Sequence, residues 1–375
     1  MRRARAWSSQ RRRHCTDRSV PPGIRSVSEP AILTLLRRGD LVESVHRGAV
    51  AVVTADQPLF TLGPTTAPHA IYPRSALKPF QALPLLEERL DTQLALDSRE
   101  IALTTASHGG DEQHVEAARS LLAKGALARS LLRCGSHPPM DAAAARRLTR
   151  AGQPFDELHH NCSGKHASML LVAQHLGLPL ADYIDPGHPL QRRIRATLAV
   201  FAGLAPEALG VAIDGCSAPA FSLPLAALAR AMARFADPTG LPATTADAAR
   251  RLFAAAVAAP HFVSGSRRIE LAVMTAAHGR TFAKIGAEGV LALAIRPPRP
   301  GLPAVGIAIK VEDGAERGYF QPALALLRWL GFDPPADPAE LPRDAHATLR
   351  NHRGLEVGKI EAAAEFARLP PSPWA

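Results

Sequence analysis

Aromatic residues and long apolar runs are scarce in this chain of 375 residues. Only 5% of the residues are aromatic, whereas 47% are hydrophobic and 21% are charged. No stretch approaches the about 18 uninterrupted apolar residues that a membrane-spanning helix needs, so we expect no membrane contact. Few aromatic side chains are present for stacking on bases. The composition is that of a globular chain long enough to bury a sizeable core.

The distribution of charge argues against nucleic-acid binding by the folded part. The formal net charge is +10, but residues 1–28 contain eight arginines and one acid, Asp17, so the rest of the chain carries only +3. We predict that residues 1–29 form a disordered, arginine-rich extension, because this segment has no periodicity and nothing to bury. No long apolar segment follows the arginines, as one would in a secretory signal, and we therefore expect a cytoplasmic protein.

Cysteine is also scarce. The chain has four, and one of them lies in the arginine-rich extension. The other three, Cys134, Cys162 and Cys216, do not make a disulfide framework in a chain of this size, so we expect reduced thiols that are buried, reactive or bound to metal. The sequence also lacks a Walker element and a Gly-x-Gly-x-x-Gly segment after a strand. No nucleotide or redox cofactor is expected.

Hydrophobic patterning predicts strands near both ends of the chain and helices between them. Two β-rich runs in 41–62 flank a turn-like cluster at 55–58 and predict a hairpin. Residues 281–296 and 305–314 predict two or three further strands with tight glycine turns. Helices are predicted over 75–90, 111–131, 165–176, 189–202, 220–236 and 320–331.

This order of elements predicts an α/β (α+β) fold. An antiparallel sheet is expected from about 41–70 and 265–335, flanked by helices, with a mainly helical region over about 75–260. Residues 333–375 are rich in proline and carry no motif that we can place. We expect 30–375 to form a single unit.

Lysine is rare in a chain that otherwise uses arginine for positive charge. Of 44 basic residues, only six are lysine: Lys78, Lys124, Lys165, Lys284, Lys310 and Lys359. A lysine amine can lose its proton when it is buried, whereas an arginine side chain cannot. Lys124 and Lys359 lie in polar surroundings typical of a surface. The other four lie in apolar or glycine-rich segments and are therefore candidates for chemistry.

Ser75 and Lys78 have the spacing Ser-x-x-Lys just after Pro73. If a helix starts there, both side chains lie on one face, and a neutral amine could accept the serine proton while backbone N–H groups hold an oxyanion. The alternative is a surface serine and lysine spaced this way by chance.

Lys284 precedes Gly286 in a predicted strand. This Lys-x-Gly element resembles that of serine β-lactamases and penicillin-binding proteins, which also carry an earlier Ser-x-x-Lys helix start. The alternative is a charge on an edge strand.

Two further segments each place a cysteine in a glycine-containing turn beside an ionisable group. They contain Cys162 with Lys165, and Asp214 with Cys216. Their spacing is not Cys-x-x-Cys, so the spacing alone is a weak zinc signal and favours two partly buried thiols.

Four segments together resemble the bacterial asparaginase II family of the Rhizobium etli inducible type. They are Arg-Ser-Ala-Leu-Lys-Pro at 74–79, Ala-Ser-His-Gly-Gly at 106–110, Asn-Cys-Ser-Gly-Lys-His at 161–166 and Asp-Gly-Cys at 214–216. They occur in the family's order, and the resemblance covers roughly 41–332. It implies the fold of serine β-lactamases and glutaminases and hydrolysis of a small amide such as L-asparagine, and we expect the unit over 30–375 to be the catalytic one. We also expect a homodimer.

The same resemblance implies roles for individual residues. Two Ser–Lys pairs are implied, Ser75 with Lys78 and Ser107 with Lys284. It further implies a zinc site and positions near the substrate pocket. The zinc ligands would be Cys162, Lys165 and Cys216, and the positions near the pocket are Arg74 and Asp214.

Three other functions stay open at this point. A glutaminase or a β-lactamase-like serine hydrolase could use the same residues, because one methylene discriminates substrates only weakly. A non-catalytic, zinc-stabilised binding protein could keep the fold, although Ser75, Lys78, Ser107 and Lys284 are all present. A nucleic-acid binder has only the arginine-rich extension in its favour.

Deleting residues 1–28 is expected to leave the melting temperature and the activity unchanged, because the segment has nothing to bury. Thermal melting and ammonia release of the full and shortened chains check this expectation. A large drop in melting temperature would show instead that the extension docks on the fold.

Overall fold

The computed structural model of the chain describes residues 29–333 and 341–375. The arginine-rich segment 1–28 therefore lies outside the described residues. Eleven strands occur in the described part. They are β1 Ala31–Arg38, β2 Leu41–Val53, β3 Pro58–Leu62, β4 Ala70–Ile71, β5 Gly210–Ile213, β6 Pro219–Pro224, β7 Thr281–Gly286, β8 Val290–Ile295, β9 Val305–Val311, β10 Thr348–Arg350 and β11 Glu356–Ala362.

Eight of these strands form the main sheet. Its order is β10-β11-β1-β2-β9-β8-β7, with β3 paired to β2, and the pairings between its neighbouring strands are antiparallel. The remaining strands form a small sheet in the order β4-β6-β5. Strands from both ends of the chain therefore lie side by side, as the sequence predicts.

The predicted hairpin is confirmed in β2 and β3. Val50 pairs with Leu62 and Val52 with Phe60, and the backbone turns where the Thr54 N–H donates to the Gln57 carbonyl, 2.9 Å away. The strands at 281–296 and 305–314 are confirmed as β7, β8 and β9. All residues of β7 and β8 are buried, as expected for strands covered on both faces.

The described residues contain twelve α-helices, most of them in the middle of the chain. They are α1 Lys78–Glu87, α2 Leu90–Gln93, α3 Ser98–Thr104, α4 Glu112–Lys124, α5 Ala142–Ala151, α6 Ser163–His175, α7 Pro189–Ala202, α8 Leu225–Ala236, α9 Ala243–Ala258, α10 His261–Ser264, α11 Ile269–Ala276 and α12 Arg317–Trp329.

Helices α8 and α12 cover opposite faces of the main sheet. A Cβ on Gly306 would meet the backbone of α8, whereas Val311 faces Gly318 of α12. Side chains alternate along a strand, so residues five positions apart point to opposite faces. Together with the antiparallel sheet and the helical middle region, this arrangement confirms the predicted mixed α/β fold. Among the described residues, no helix is both long and apolar enough to cross a membrane.

Three sequence predictions about local structure differ from the structure. Residues 219–224 form β6 rather than the start of a helix, because the sheet pairing of Phe221 with Val211 replaces helical hydrogen bonds. Residues 31–38 and 348–362, which were assigned no strand, add β1, β10 and β11 to the main sheet. Part of the unassigned C-terminal segment is therefore sheet.

Gly286 ends β7 where the strand packs against the turn that precedes α1. A Cβ at this position would overlap the backbone carbonyl oxygen of Pro73. We expect Gly286→Ala to lower the free energy of unfolding by about 1–3 kcal/mol, the usual cost of overpacking. Urea denaturation measures this change. Gly187→Ala is the matched control, since its Cβ would meet only the end of the Asp185 side chain; equal losses in both variants would contradict the argument.

Candidate active site

A buried lysine lies at the start of α1. A 3-10 turn over Arg74–Leu77 runs directly into the helix, which places Lys78 at its first position. The side chain is only 1% exposed, and its amine donates to the Ala106 carbonyl and, over 2.9 Å, to the Ser107 Oγ. Ser107 follows the end of α3. This contact therefore joins two helices at one polar point inside an apolar core.

Ser75 lies on the turn that leads into Lys78. Its side chain is half-buried, and the Lys78 backbone N–H donates to the Ser75 carbonyl. In the described part of the chain no residue hydrogen-bonds the Ser75 hydroxyl, because the Lys78 amine bonds Ser107 instead. The preceding residue, Arg74, has φ of 54°, in the left-handed region, which is a costly conformation often found at functional sites.

Lys284 is fully buried on β7. Its Nζ lies 3.2 Å from Glu270 Oε1 on α11 and donates to the Ile285 carbonyl, 3.3 Å away. In this structure Lys284 therefore bonds Glu270 and not Ser107, its implied partner. Burial lowers the pKa of Lys284 to about 8, against the raising effect of Glu270, and the charge of Lys78 lowers it further. Lys78 is thus close enough to act on the pKa of Lys284.

The two thiols implied as zinc ligands come together at the start of α6. Cys162 is hydrogen-bonded to Cys216, and the Lys165 amine donates to the Cys216 Sγ over 3.0 Å. All three side chains are buried. Sequence neighbours supply two of them, and the connection between β5 and β6 supplies Cys216 from 51 residues away.

Protonation within this group can be assigned from its contacts. The hydrogen bond from Cys162, together with the charge of Lys165, lowers the pKa of Cys216, whereas that hydrogen bond and burial raise the pKa of Cys162. Burial lowers the pKa of Lys165, but the two cysteines outweigh burial and the net pKa is raised. These contacts favour the charged forms of Cys216 and Lys165 and the neutral form of Cys162.

The donors in this group fit a zinc ion. Zinc prefers thiolate and nitrogen ligands in tetrahedral arrangement, and two cysteines with one lysine supply both types. The next residue, His166, adds a buried imidazole beside Cys216, and its Nδ1 lies 2.6 Å from the Tyr183 hydroxyl. Burial lowers the pKa of His166 to about 4, so this imidazole is neutral and able to bind metal. Binding of zinc would have to release protons from Lys165 and Cys162.

An ion pair borders the serine side of the site. Arg74 donates from Nε and Nη2 to Asp214 Oδ1, at 2.9 and 2.6 Å. The two side chains are 29% and 17% exposed. The pair therefore presents one positive and one negative group at the edge of a polar interior.

The Ser–Lys group and the thiol group are electrostatically one site. The charge of Lys78 lowers the pKa of Cys162, and Cys216 contributes to a raised pKa of Arg74. A small cleft reaches Ser107 between Met140 and Arg268. Larger clefts elsewhere in the described part, such as one beside Thr54, hold none of the buried lysines or thiols.

Two residues of this site have no counterpart in the sequence analysis. Glu270 is the single acid in the apolar stretch of α11, which is a pattern that could have indicated a buried partner for a lysine. His166 follows Lys165 directly but was assigned no role. Glu270 contacts Lys284, and His166 lies beside Cys216; both partners are distant in sequence. A local sequence pattern therefore could not identify these partners.

The Glu270 carboxylate is expected to raise the pKa of Lys284 against the effect of burial. Replacing it in Glu270→Gln removes the negative charge that opposes burial, so the pKa of Lys284 should fall below about 8. The chain has only six lysines. A pH titration of their ¹³Cε resonances by NMR, with Lys284 assigned through a Lys284→Met variant, measures the shift.

Glu356→Gln is the matched control for this titration. Its partner Lys359 is exposed, and the two groups are 3.9 Å apart, so solvent screens the pair. The Lys359 resonance should titrate almost as in the unchanged protein. An unchanged or raised pKa of Lys284 in Glu270→Gln would show that the carboxylate does not control this amine.

Comparisons with known proteins agree with the resemblance of the four sequence segments. A family model described as L-asparaginase II matches residues 35–362. No curated protein sequence matches the chain. Similar solved structures include a β-lactamase from Mycobacterium bovis with 15% sequence identity and a TM-score of 0.40. This match covers 76% of the present chain and 94% of the β-lactamase chain.

Another similar structure is that of the Bacillus subtilis glutaminase YbgJ in covalent complex with 5-oxo-L-norleucine, with 13% sequence identity and a TM-score of 0.32. This match covers 78% of the present chain and 86% of the glutaminase chain. These similarities are too low for an activity to be carried over. The family match, in contrast, spans most of the chain. The protein therefore belongs to the L-asparaginase II family and is an amidohydrolase.

Proposed function

We propose that this protein hydrolyses L-asparagine to L-aspartate and ammonia through an acyl-enzyme on serine. One observation carries the proposal beyond family membership: the buried Lys78 amine hydrogen-bonds Ser107 beside the turn that bears Ser75. A lysine in an apolar interior can act as a base, which an exposed lysine at neutral pH does poorly.

Ser75 is the proposed nucleophile. Its hydroxyl is left without a hydrogen bond among the described residues and is half-buried, so a substrate carbonyl can approach it. Ser107 is 5% exposed and already bonded to Lys78. It suits a relay between the amine and the departing nitrogen better than a first attack.

Lys78 is the proposed general base. A neutral lysine amine has two hydrogens and one lone pair. Here the hydrogens are directed to the Ala106 carbonyl and to Ser107 Oγ, which leaves the lone pair for the Ser75 proton.

The ion pair of Arg74 with Asp214 supports an amino-acid substrate. A free amino acid carries both a carboxylate and an ammonium, and each needs a partner of opposite charge when it leaves water. The guanidinium can bind the carboxylate, and Asp214 the ammonium, once the substrate separates the pair. A substrate that lacks one of these two groups would leave one charge of the separated pair without a partner.

Zinc is the proposed metal, held by Cys162, Lys165 and Cys216. Bound there, it would supply a fixed positive charge that helps position the substrate. The three ligands adjoin Asp214, whose charge acts on Lys165. The homodimer and the cytoplasmic location stay predictions.

The proposed reaction has two halves. In the first, Ser75 Oγ bonds to the side-chain carbonyl carbon, Lys78 takes the serine proton, and Ser107 passes that proton to the amide nitrogen. The carbon–nitrogen bond breaks and ammonia leaves. In the second, water attacks the ester while Lys78 takes a proton from it, and the proton returns to Ser75 as aspartate is released.

Lys78→Arg tests the role of the base directly. The change keeps a positive side chain but removes the accessible neutral state, so the rate of ammonia release from asparagine should fall ~10²-fold or more. Circular dichroism checks that the variant folds. Lys359→Arg, on the exposed side of β11, is the control and should keep full activity.

Near-normal turnover of Lys78→Arg would make Lys78 a structural cation and move the chemistry to Ser107 and Lys284. In that case Ser107→Ala, and not Ser75→Ala, would abolish formation of an acyl-enzyme detected by intact-protein mass spectrometry. Running the same assay on glutamine and on a β-lactam separates asparaginase from the two alternative hydrolases.

A further inference from the structure

A second group of metal-binding side chains lies outside the site described above. Asp111 precedes α4, His114 lies in its first turn, and His261 begins α10. Asp111 Oδ1 is 2.8 Å from His114 Nδ1, and Asp111 Oδ2 is 3.1 Å from His261 Nε2. One ligand atom from each residue lies within 4.8 Å of the others.

The buried His114 ring is oriented as a metal ligand. Its Nε2 donates to the His261 carbonyl over 3.0 Å, which is how a metal-bound histidine commonly uses its second nitrogen. In the neutral ring, Nδ1 then carries a lone pair and no hydrogen. That atom is fully buried and makes no properly aligned hydrogen bond, although a carboxylate oxygen lies 2.8 Å away. Either a proton on Nδ1 or a metal ion must lie between this nitrogen and the carboxylate oxygen, so the contact is one that a metal ion can replace.

The spacing and exposure also suit an ion. Ligands about 2.1 Å from a tetrahedral zinc lie about 3.4 Å from one another, so the observed separations need only small side-chain movements. Asp111 is 16% exposed and His261 27% exposed, which leaves an entry path and room for a water ligand. Two imidazoles and one carboxylate are a ligand set for first-row divalent cations, and for zinc in particular.

The group is connected to Ser107 by two contacts. The Ser107 backbone N–H donates to the Val263 carbonyl of α10 over 3.0 Å, and the His108 ring stacks on His114 with centroids 5.0 Å apart. An ion at the group would therefore fix the start of α4 and α10 on either side of the segment that carries Ser107.

We propose that Asp111, His114 and His261 bind one divalent cation of the zinc class, and that this ion braces the segment bearing Ser107. The site shares no residue with the thiol group, and its ligand atoms are nitrogen and oxygen only. It does not depend on the proposed asparaginase activity.

Metal content of the full chain tests the proposal. Protein dialysed against low-micromolar free zinc is analysed by plasma mass spectrometry, for the unchanged chain and for His261→Gln. The variant should hold one zinc fewer per chain, whether or not the thiol group also binds zinc. His175→Gln is the matched control, because His175 faces only one carboxylate, that of Glu88 at 3.6 Å, and should lose none.

A second variant guards against a folding defect in the first. Asp111→Asn keeps an oxygen able to cap α4 but loses the charge, so it should fold and still lose one zinc. Cobalt replaces zinc for a spectroscopic test. The difference spectrum between the unchanged chain and either variant should show weak visible bands without sulfur charge transfer. Equal metal content and superimposable cobalt spectra in all the chains would overturn the proposal.

Discussion

The burial of three lysine amines is the constraint on which the rest of the site depends. Lys78, Lys165 and Lys284 are at most 2% exposed. A buried ammonium is costly unless partners compensate it, so each amine needs acceptors supplied by another element. The partners are Ser107 beyond α3, Cys216 between β5 and β6, and Glu270 on α11, respectively. Satisfying these amines brings segments that are distant in sequence into contact.

The three amines do not have the same electrostatic role. The neighbouring cysteines raise the pKa of Lys165 despite its burial. Burial lowers the pKa of Lys284 despite its carboxylate partner. Lys78 has only neutral acceptors, a carbonyl and a hydroxyl. The surroundings thus favour the charged form of Lys165 and the neutral form of Lys284.

The sequence alone identified these lysines as candidates, because lysine is rare in this arginine-rich chain. A rare charged residue in an apolar segment indicates a specific function. It also predicted the hairpin of β2 and β3, whose alternation and turn are local. It missed β6, where an apolar stretch runs into a helix without a break in hydrophobicity. It missed Glu270 and β11 because their partners, Lys284 and β1, are fixed only by tertiary pairing.

The pairing of β1 with β11 has a consequence for biosynthesis. Thr34 lies opposite Ala362. The strand β1, which is synthesised early, therefore cannot form this pairing until β11 has been synthesised. Until β11 leaves the ribosome, one edge of β1 has open backbone groups, to which another unfinished chain could pair. Contacts of such long sequence separation also slow folding, because loop closure precedes any gain from pairing. The main sheet is therefore completed only after β11 has been synthesised, and until then the nascent chain is exposed to aggregation through β1.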